Sequence, residues 1–330
     1  MSTIFNTKSI SAFILAIIVI ISLVGFWWGF EPSTFDVNER AKQAAQENNQ
    51  QIVIGYTTTN TLIGVLEAML EKPGGYLTND VMPPGLVMDN IPNWEFGVLE
   101  MSRDLALAMR KDFGRSQSQS LANPALEKAQ PNLNNDNNRW ILPSSEGKYY
   151  EAIGQLYTYR NQLADENATN NQFYARADNL REYLKQVEKR LGSMSQTLSA
   201  SVGKEVLNTN LAGEATANKS ARESDILMNR TSWFELDDKF YEARGACWAL
   251  LHFLKALETD FADVLRKKNA TVSLQQIIRE LEATQDGVYS PVILNGDGFG
   301  LLANHSLVMA NYISRANAAL IELTELLNQG

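Results

Sequence analysis

The chain holds one cysteine, two histidines and nine prolines in 330 residues. A lone Cys247 excludes a disulfide within the chain, so the fold has to rest on its apolar core, which a chain of this length can build. His252 and His305 with one thiol are too few for a conventional zinc site. Any nucleophile–base pair with a histidine base would also have to use one of these two. Basic charge is in short supply: 29 Lys+Arg stand against 38 Asp+Glu, a net charge of −9. That balance argues against nucleic acid or an anionic surface as the main partner.

From Ile10 to Phe30, ISAFILAIIVIISLVGFWWGF, charge is missing altogether. As a helix rising about 1.5 Å per residue, the run reaches roughly 31 Å, the thickness of a hydrocarbon core. A cleavable signal would have a shorter apolar stretch ending in small residues. This run ends in Phe26, Trp27, Trp28 and Phe30, which suit a membrane–water interface. It reads as an uncleaved anchor, and no later stretch is apolar enough to span again. Lys8 precedes the run while Glu31, Asp36 and Glu39 follow it. The expected orientation therefore keeps residues 1–9 in the cytoplasm and places the bulk of the chain outside. Without disulfides, a bacterial periplasm and hence the inner membrane is the expected setting. Gly25 and Gly29 make a GxxxG spacing through which two anchors could approach.

Behind the anchor, residues 31–60 read as a stalk and lead-in and residues 61–330 as one periplasmic helical domain. The polar stretches 116–145 and 208–219 carry little apolar surface to offset the entropy of ordering them. Elsewhere the pattern is helical. A helix is expected from Asn60 or Thr61 to Leu70, and another from Trp94 to Phe113, ended by Gly114. Three long seams follow. Phe173, Ala177, Leu180, Leu184, Val187, Leu191, Met194 and Leu198 alternate steps of four and three; so do the seams from Phe240 to Val264 and from Leu302 through His305, Met309 and Tyr312 to Leu326. Such seams predict an all-α bundle of long heptad-patterned helices. Ser232 with Glu235, and Ser273 with Gln276, fit capping boxes, with Val272 and Ile277 placed for a hydrophobic staple. Gly245, among Ala243, Ala246 and Ala249, predicts a close helix crossing.

One stretch looks built for chemistry: NGDGFGLLANHS, Asn295 to Ser306. As a calcium loop it fails, because the twelfth position holds Ser306 where a bidentate glutamate is needed. Its glycines, Gly296, Gly298 and Gly300, lack dinucleotide-binding spacing, and no Gly-Lys-Ser/Thr follows. His305 and Ser306 are adjacent, so on a helix they point about 100° apart and cannot pair; a hydrogen-bonded structural imidazole is the commoner explanation. Glu235, Asp237 and Asp238 cluster where acids complement a helix dipole. The glycines can serve as a turn before the last helix, read as starting at Leu301. They also frame Phe299 and Asp297 beside a helix N-terminus, where bare amides could receive a ligand or partner. Asn295, Asp297, Phe299 and His305 are accordingly the candidate site. No metal ligands or cofactor are implied.

GDGFGLLANHSLVMANYISRANAALIEL, together with the aromatic-ended anchor, resembles an uncharacterised family of single-pass proteobacterial inner-membrane proteins, a domain of unknown function. The resemblance implies a bacterial source and the inner membrane, and it brings no activity. The residues themselves favour a membrane-tethered scaffold or accessory subunit that acts on envelope proteins or its own copies. A module binding a small molecule, lipid or peptide is the alternative, and a carboxylate-based envelope hydrolase comes third.

Overall fold

The computed structural model of the chain describes residues 7–115, 122–165, 172–207, 226–229, 231–290, 292–296 and 301–329. It is all-α apart from a short antiparallel hairpin, β1 (Lys204–Leu207) with β2 (Ile226–Asn229). α1 (Thr7–Trp28) contains residues 10–28 of the apolar run, is long and apolar enough to cross a membrane, and has no buried residue in that span, its Gly25 and Trp28 touching the rest of the chain at their surface. Then come α2 (Val37–Glu47), α3 (Tyr56–Glu71), α4 (Asn90–Ala108), α5 (Pro124–Leu133), α6 (Ser145–Leu163) and α7 (Ala177–Ser199). The second half adds α8 (Leu236–Asp260), α9 (Ala262–Lys267), α10 (Thr271–Ala283) and α11 (His305–Asn328). α4 lies along α8, α7 along α11, α10 against α11, and α5 against α6.

The α4–α8 crossing is the axis of the bundle, and small residues set its closeness. A Cβ on Gly97 would fall 2.0 Å from the Glu242 carbonyl oxygen, and one on Gly245 would fall 2.0 Å from that of Trp94. Only hydrogen at both positions lets the backbones touch, so Gly245 is core, as its small neighbours predict. Around the crossing Trp94 packs on Trp248, while Phe113, Phe173 and Phe261 close the far end with ring centroids 5.1–5.7 Å apart. Cys247 lies in this core, where burial pushes its thiol up to about 12; it is inert.

Several starts and stops differ from the sequence expectations. α3 begins at Tyr56 because Asp260, at the end of α8, takes the Thr58 amide and hydroxyl at 2.7 and 2.6 Å. A distant carboxylate thus caps a helix whose own N-cap residue, Gly55, offers no side chain. α4 does run to the Gly114 stop, its last turn widened to a π-turn over Met109–Phe113. In the stretch read as a stalk, α2 buries Val37, Ala41 and Ala45. Within the polar stretch 116–145, α5 buries Leu126, Ala129 and Leu133; residues 208–219 lie outside the described residues. Neither capping box forms. Ser232 makes no side-chain cap, and α10 already begins at Thr271, which leaves Val272 exposed instead of stapled.

Candidate functional site

The loop from Ile293 to Asn304 returns on itself. Asn295 and Asn304 form an antiparallel bridge, Gly296 donates its amide to the Ala303 carbonyl at 3.0 Å, and His305 donates its amide to Leu294 at 2.8 Å. Asn304 is the buried pin. Its side-chain nitrogen donates to the Gly296 carbonyl at 2.7 Å, and its oxygen accepts from the Leu307 amide at 2.8 Å, capping α11. A Cβ on Gly296 would come 2.5 Å from the Leu302 carbonyl oxygen, so this glycine is required by backbone approach. α11 therefore starts at His305, and Leu301 and Leu302, expected on the helix, stand exposed before it.

His305 Nδ1 accepts from the Leu294 amide at 3.0 Å, which puts the ring proton on Nε2. The imidazole is half-buried and belongs to the loop's own bonding, as the structural explanation of a lone histidine predicts. Asn295 spends its side-chain nitrogen on the Ile293 carbonyl at 3.1 Å. Of the four candidate residues, Asn295 and His305 are thus brought together at the loop's base, while Asp297 and Phe299 lie outside the described residues. Gly25 and Gly29 are elsewhere: a Cβ on Gly25 would meet the Pro84 side chain at 3.2 Å, and one on Gly29 would meet its own helix.

His305 forms one wall of a cleft of about 370 Å³. Phe240 and Arg244 of α8, Thr284 at the end of α10, Tyr289 in the following loop, and Val308 and Tyr312 of α11 complete it. Sequence reasoning passed over Arg244, whose partners are too distant in the chain to suggest it. Its Nε donates to both oxygens of Glu31, at 3.0 and 2.7 Å, just beyond α1. Nη1 donates to the carbonyls of Thr284 and Asp286, both at 2.9 Å, and Nη2 to that of Gln285 at 3.1 Å. One guanidinium thereby closes the C-terminus of α10 and ties it to the segment that follows α1. A few residues along, His252 holds the same segment. It accepts the Phe35 amide on Nε2 at 3.0 Å, donates from Nδ1 to Trp248 at 2.7 Å, and stacks on the Phe35 ring at 4.1 Å. Burial lowers its pKa to about 4, so the imidazole is neutral at ordinary pH.

The cleft is largely apolar where it is open. Arg244 is engaged with Glu31 and three carbonyls, and Asp286 is the one carboxylate among the described lining residues. The buried carboxylates are apart from it and from each other. Glu95 faces Lys72, Asp260 caps α3, and desolvation raises both pKa values. Glu95 and Asp260 therefore do not form a facing carboxylate pair.

Residues 2–330 match a family described as uncharacterised proteins conserved in bacteria, DUF2333. The chain belongs to that family. No curated protein and no solved structure matches the chain.

Proposed function

We propose that this DUF2333 protein is a membrane-tethered accessory or scaffold protein of the bacterial envelope, anchored by residues 10–30 with its helical bundle in the periplasm, and that it docks an apolar segment of a partner protein at the cleft between α8, α10 and α11. One observation carries the reading. Fully exposed Tyr289, together with Val308 on the cleft wall and Leu301 and Leu302 in the adjoining loop, is apolar surface left open beside an Arg244 already bound to Glu31 and the α10 terminus. Open apolar surface beside an engaged guanidinium suits a partner side chain more than a charged metabolite. The volume, about 370 Å³, is also within the usual range of small-molecule pockets, which keeps a lipid or peptide ligand as the second reading of the same cleft.

A photo-crosslinking residue placed at Tyr289 or Val308 in living cells tests this, with the exposed Val272 of α10 as the control position. The docking reading expects one defined protein adduct from both cleft positions and none from Val272. Adducts that are indiscriminate, or equal at Val272, remove it, and a small molecule co-purifying with the protein in place of an adduct installs the second reading. For the topology, a reporter active only in the periplasm, fused after Gly330, should be active; an inactive one reverses the orientation.

A further inference from the structure

The chain carries a second apolar surface, at the membrane end. The loop between α3 and α4 reads VMPPGLVM from Val81 to Met88 without a charge, and Met82, Leu86 and Val87 are exposed, Met82 to 73%. A second uncharged loop, Trp140 to Pro143, exposes Trp140, Ile141 and Leu142, Leu142 to 90%. In a soluble domain six such side chains in two loops would be a liability.

The two loops lie side by side and are held firmly. Asn79 donates to the Arg139 carbonyl and to Glu146, both at 2.9 Å, and the Tyr76 hydroxyl donates to Asn137, also at 2.9 Å. Below them Glu95, buried and ion-paired with Lys72, accepts the Leu77 and Thr78 amides at 2.8 Å each and the Thr78 hydroxyl at 2.5 Å. The exposed residues therefore stand on a fixed base.

Their depth is set by the anchor. Pro84, in the middle of the first loop, packs on Gly25, and Trp28 packs on Gly74, where positive φ and a ring 2.6 Å from any Cβ leave room for glycine alone. Gly25 precedes the end of the apolar run Ile10–Trp28 by three residues, roughly 5 Å along a helix. When α1 spans a bilayer, Pro84 is thus carried below the level at which the span ends, with Met82, Leu86 and Val87 within three residues of it in the chain.

We infer that the loops 81–88 and 140–143 form a second membrane contact, inserting Met82, Leu86, Val87, Trp140, Ile141 and Leu142 into the interfacial layer beside the anchor, so that the bundle is seated on the bilayer in one orientation. The occupant is lipid: insertion at this depth needs apolar and aromatic side chains and no basic patch, and both loops supply the former. The inference rests on α1 being a span and holds for either orientation of the anchor.

Full-length protein in vesicles of phosphatidylethanolamine and phosphatidylglycerol, some lipids carrying a shallow spin label, provides the test. An environment-sensitive fluorophore is attached through Met82→Cys, Leu142→Cys, Val272→Cys or Leu15→Cys in separate samples, the buried Cys247 being shielded from the reagent. Probes at 82 and 142 should emit to the blue of the probe at 272 and be quenched severalfold more strongly by the shallow label, with the probe at 15 also protected from water. If the probe at 15 is protected while 82 and 142 behave like 272, the second contact is wrong and the anchor stands. If the probe at 15 is exposed to water, the anchor reading falls and this inference falls with it.

Discussion

The loop after α3 and the loop before α11 both expose apolar side chains, and they are secured in opposite ways. The loop after α3 is fixed by a buried charge: Lys72 and Glu95 are withdrawn from solvent, and the carboxylate also gathers two amides and a hydroxyl. Among its described residues, the loop before α11 is fixed by neutral bonds, through Asn304, His305 and backbone pairs. A buried ion pair contributes little net stability over an apolar pair, yet it is costly to break from one side, so it enforces a single geometry. Neutral bonds of about 1 kcal/mol each permit local opening. That contrast fits the roles assigned: a fixed seat on the membrane and an adaptable edge to a docking cleft.

The comparison can be broken most forcefully at Glu95. Glu95→Ala leaves Lys72 buried without its partner and frees the Leu77 and Thr78 amides, so unfolding in denaturant should lose about 3–5 kcal/mol, and protease should cut first between residues 72 and 89. A loss under 1 kcal/mol would mean that the clamp does not fix the loop. Next is Arg244→Ala, which strands Glu31 and three carbonyls of the α10 terminus; a loss of about 2–3 kcal/mol is expected, with faster amide exchange over residues 283–290.

His252 sharpens the comparison through pH. Its folded pKa, about 4, lies below the unfolded value of 6.5. Above pH 6.5 the ring is neutral in both states and the shift contributes nothing. Between pH 6.5 and 4 the unfolded chain binds the proton first, so stability falls with acid, by about 2 kcal/mol at pH 5. Glu95 and Asp260, with raised pKa values, act in the opposite sense, since their protonated forms are favoured by folding. The measurement is therefore the difference between wild type and His252→Gln, which should narrow as pH drops from 7 to 5; a constant difference would contradict the assignment. The smallest effect is expected from Asn304→Ala, about 1 kcal/mol, with amide exchange rising at Leu307 and Gly296 and unchanged at Leu77.

The sequence makes some of this plain and hides the rest for identifiable reasons. α1, the stop at Gly114, the α7 seam and the close crossing at Gly245 all follow from composition or local spacing. α6 escaped notice because its buried face is Tyr149, Ala152, Ile153, Leu156, Tyr159 and Arg160, a mixture that an apolar count does not register. The start of α3 was unreadable because its cap, Asp260, is 202 residues away. On α11 Met309, Ala316 and Leu323 of the expected seam are buried, but the positions between them move by one residue, with Ile313, Leu320 and Leu327 buried in place of Tyr312, Ala319 and Leu326. Within the candidate site, the turn signal of the glycines was legible, and Asn295 and His305 each bond at its described base. Arg244, the residue joining the cleft to the segment after α1, was not, because Glu31 is 213 residues from it. Tertiary caps and long-range ion pairs leave no local trace in a sequence.

The central claim is that the cleft beside α11 receives a partner protein. Its most direct test compares full-length protein purified from cells as wild type, as Leu302→Asp with Val308→Asp, and as Val272→Asp, with associated proteins quantified by mass spectrometry. The expected result is one stoichiometric envelope protein that is present with wild type and Val272→Asp and lost from the double variant, all three being equally folded and membrane-bound. The same associated proteins at the same level in all three would contradict the claim.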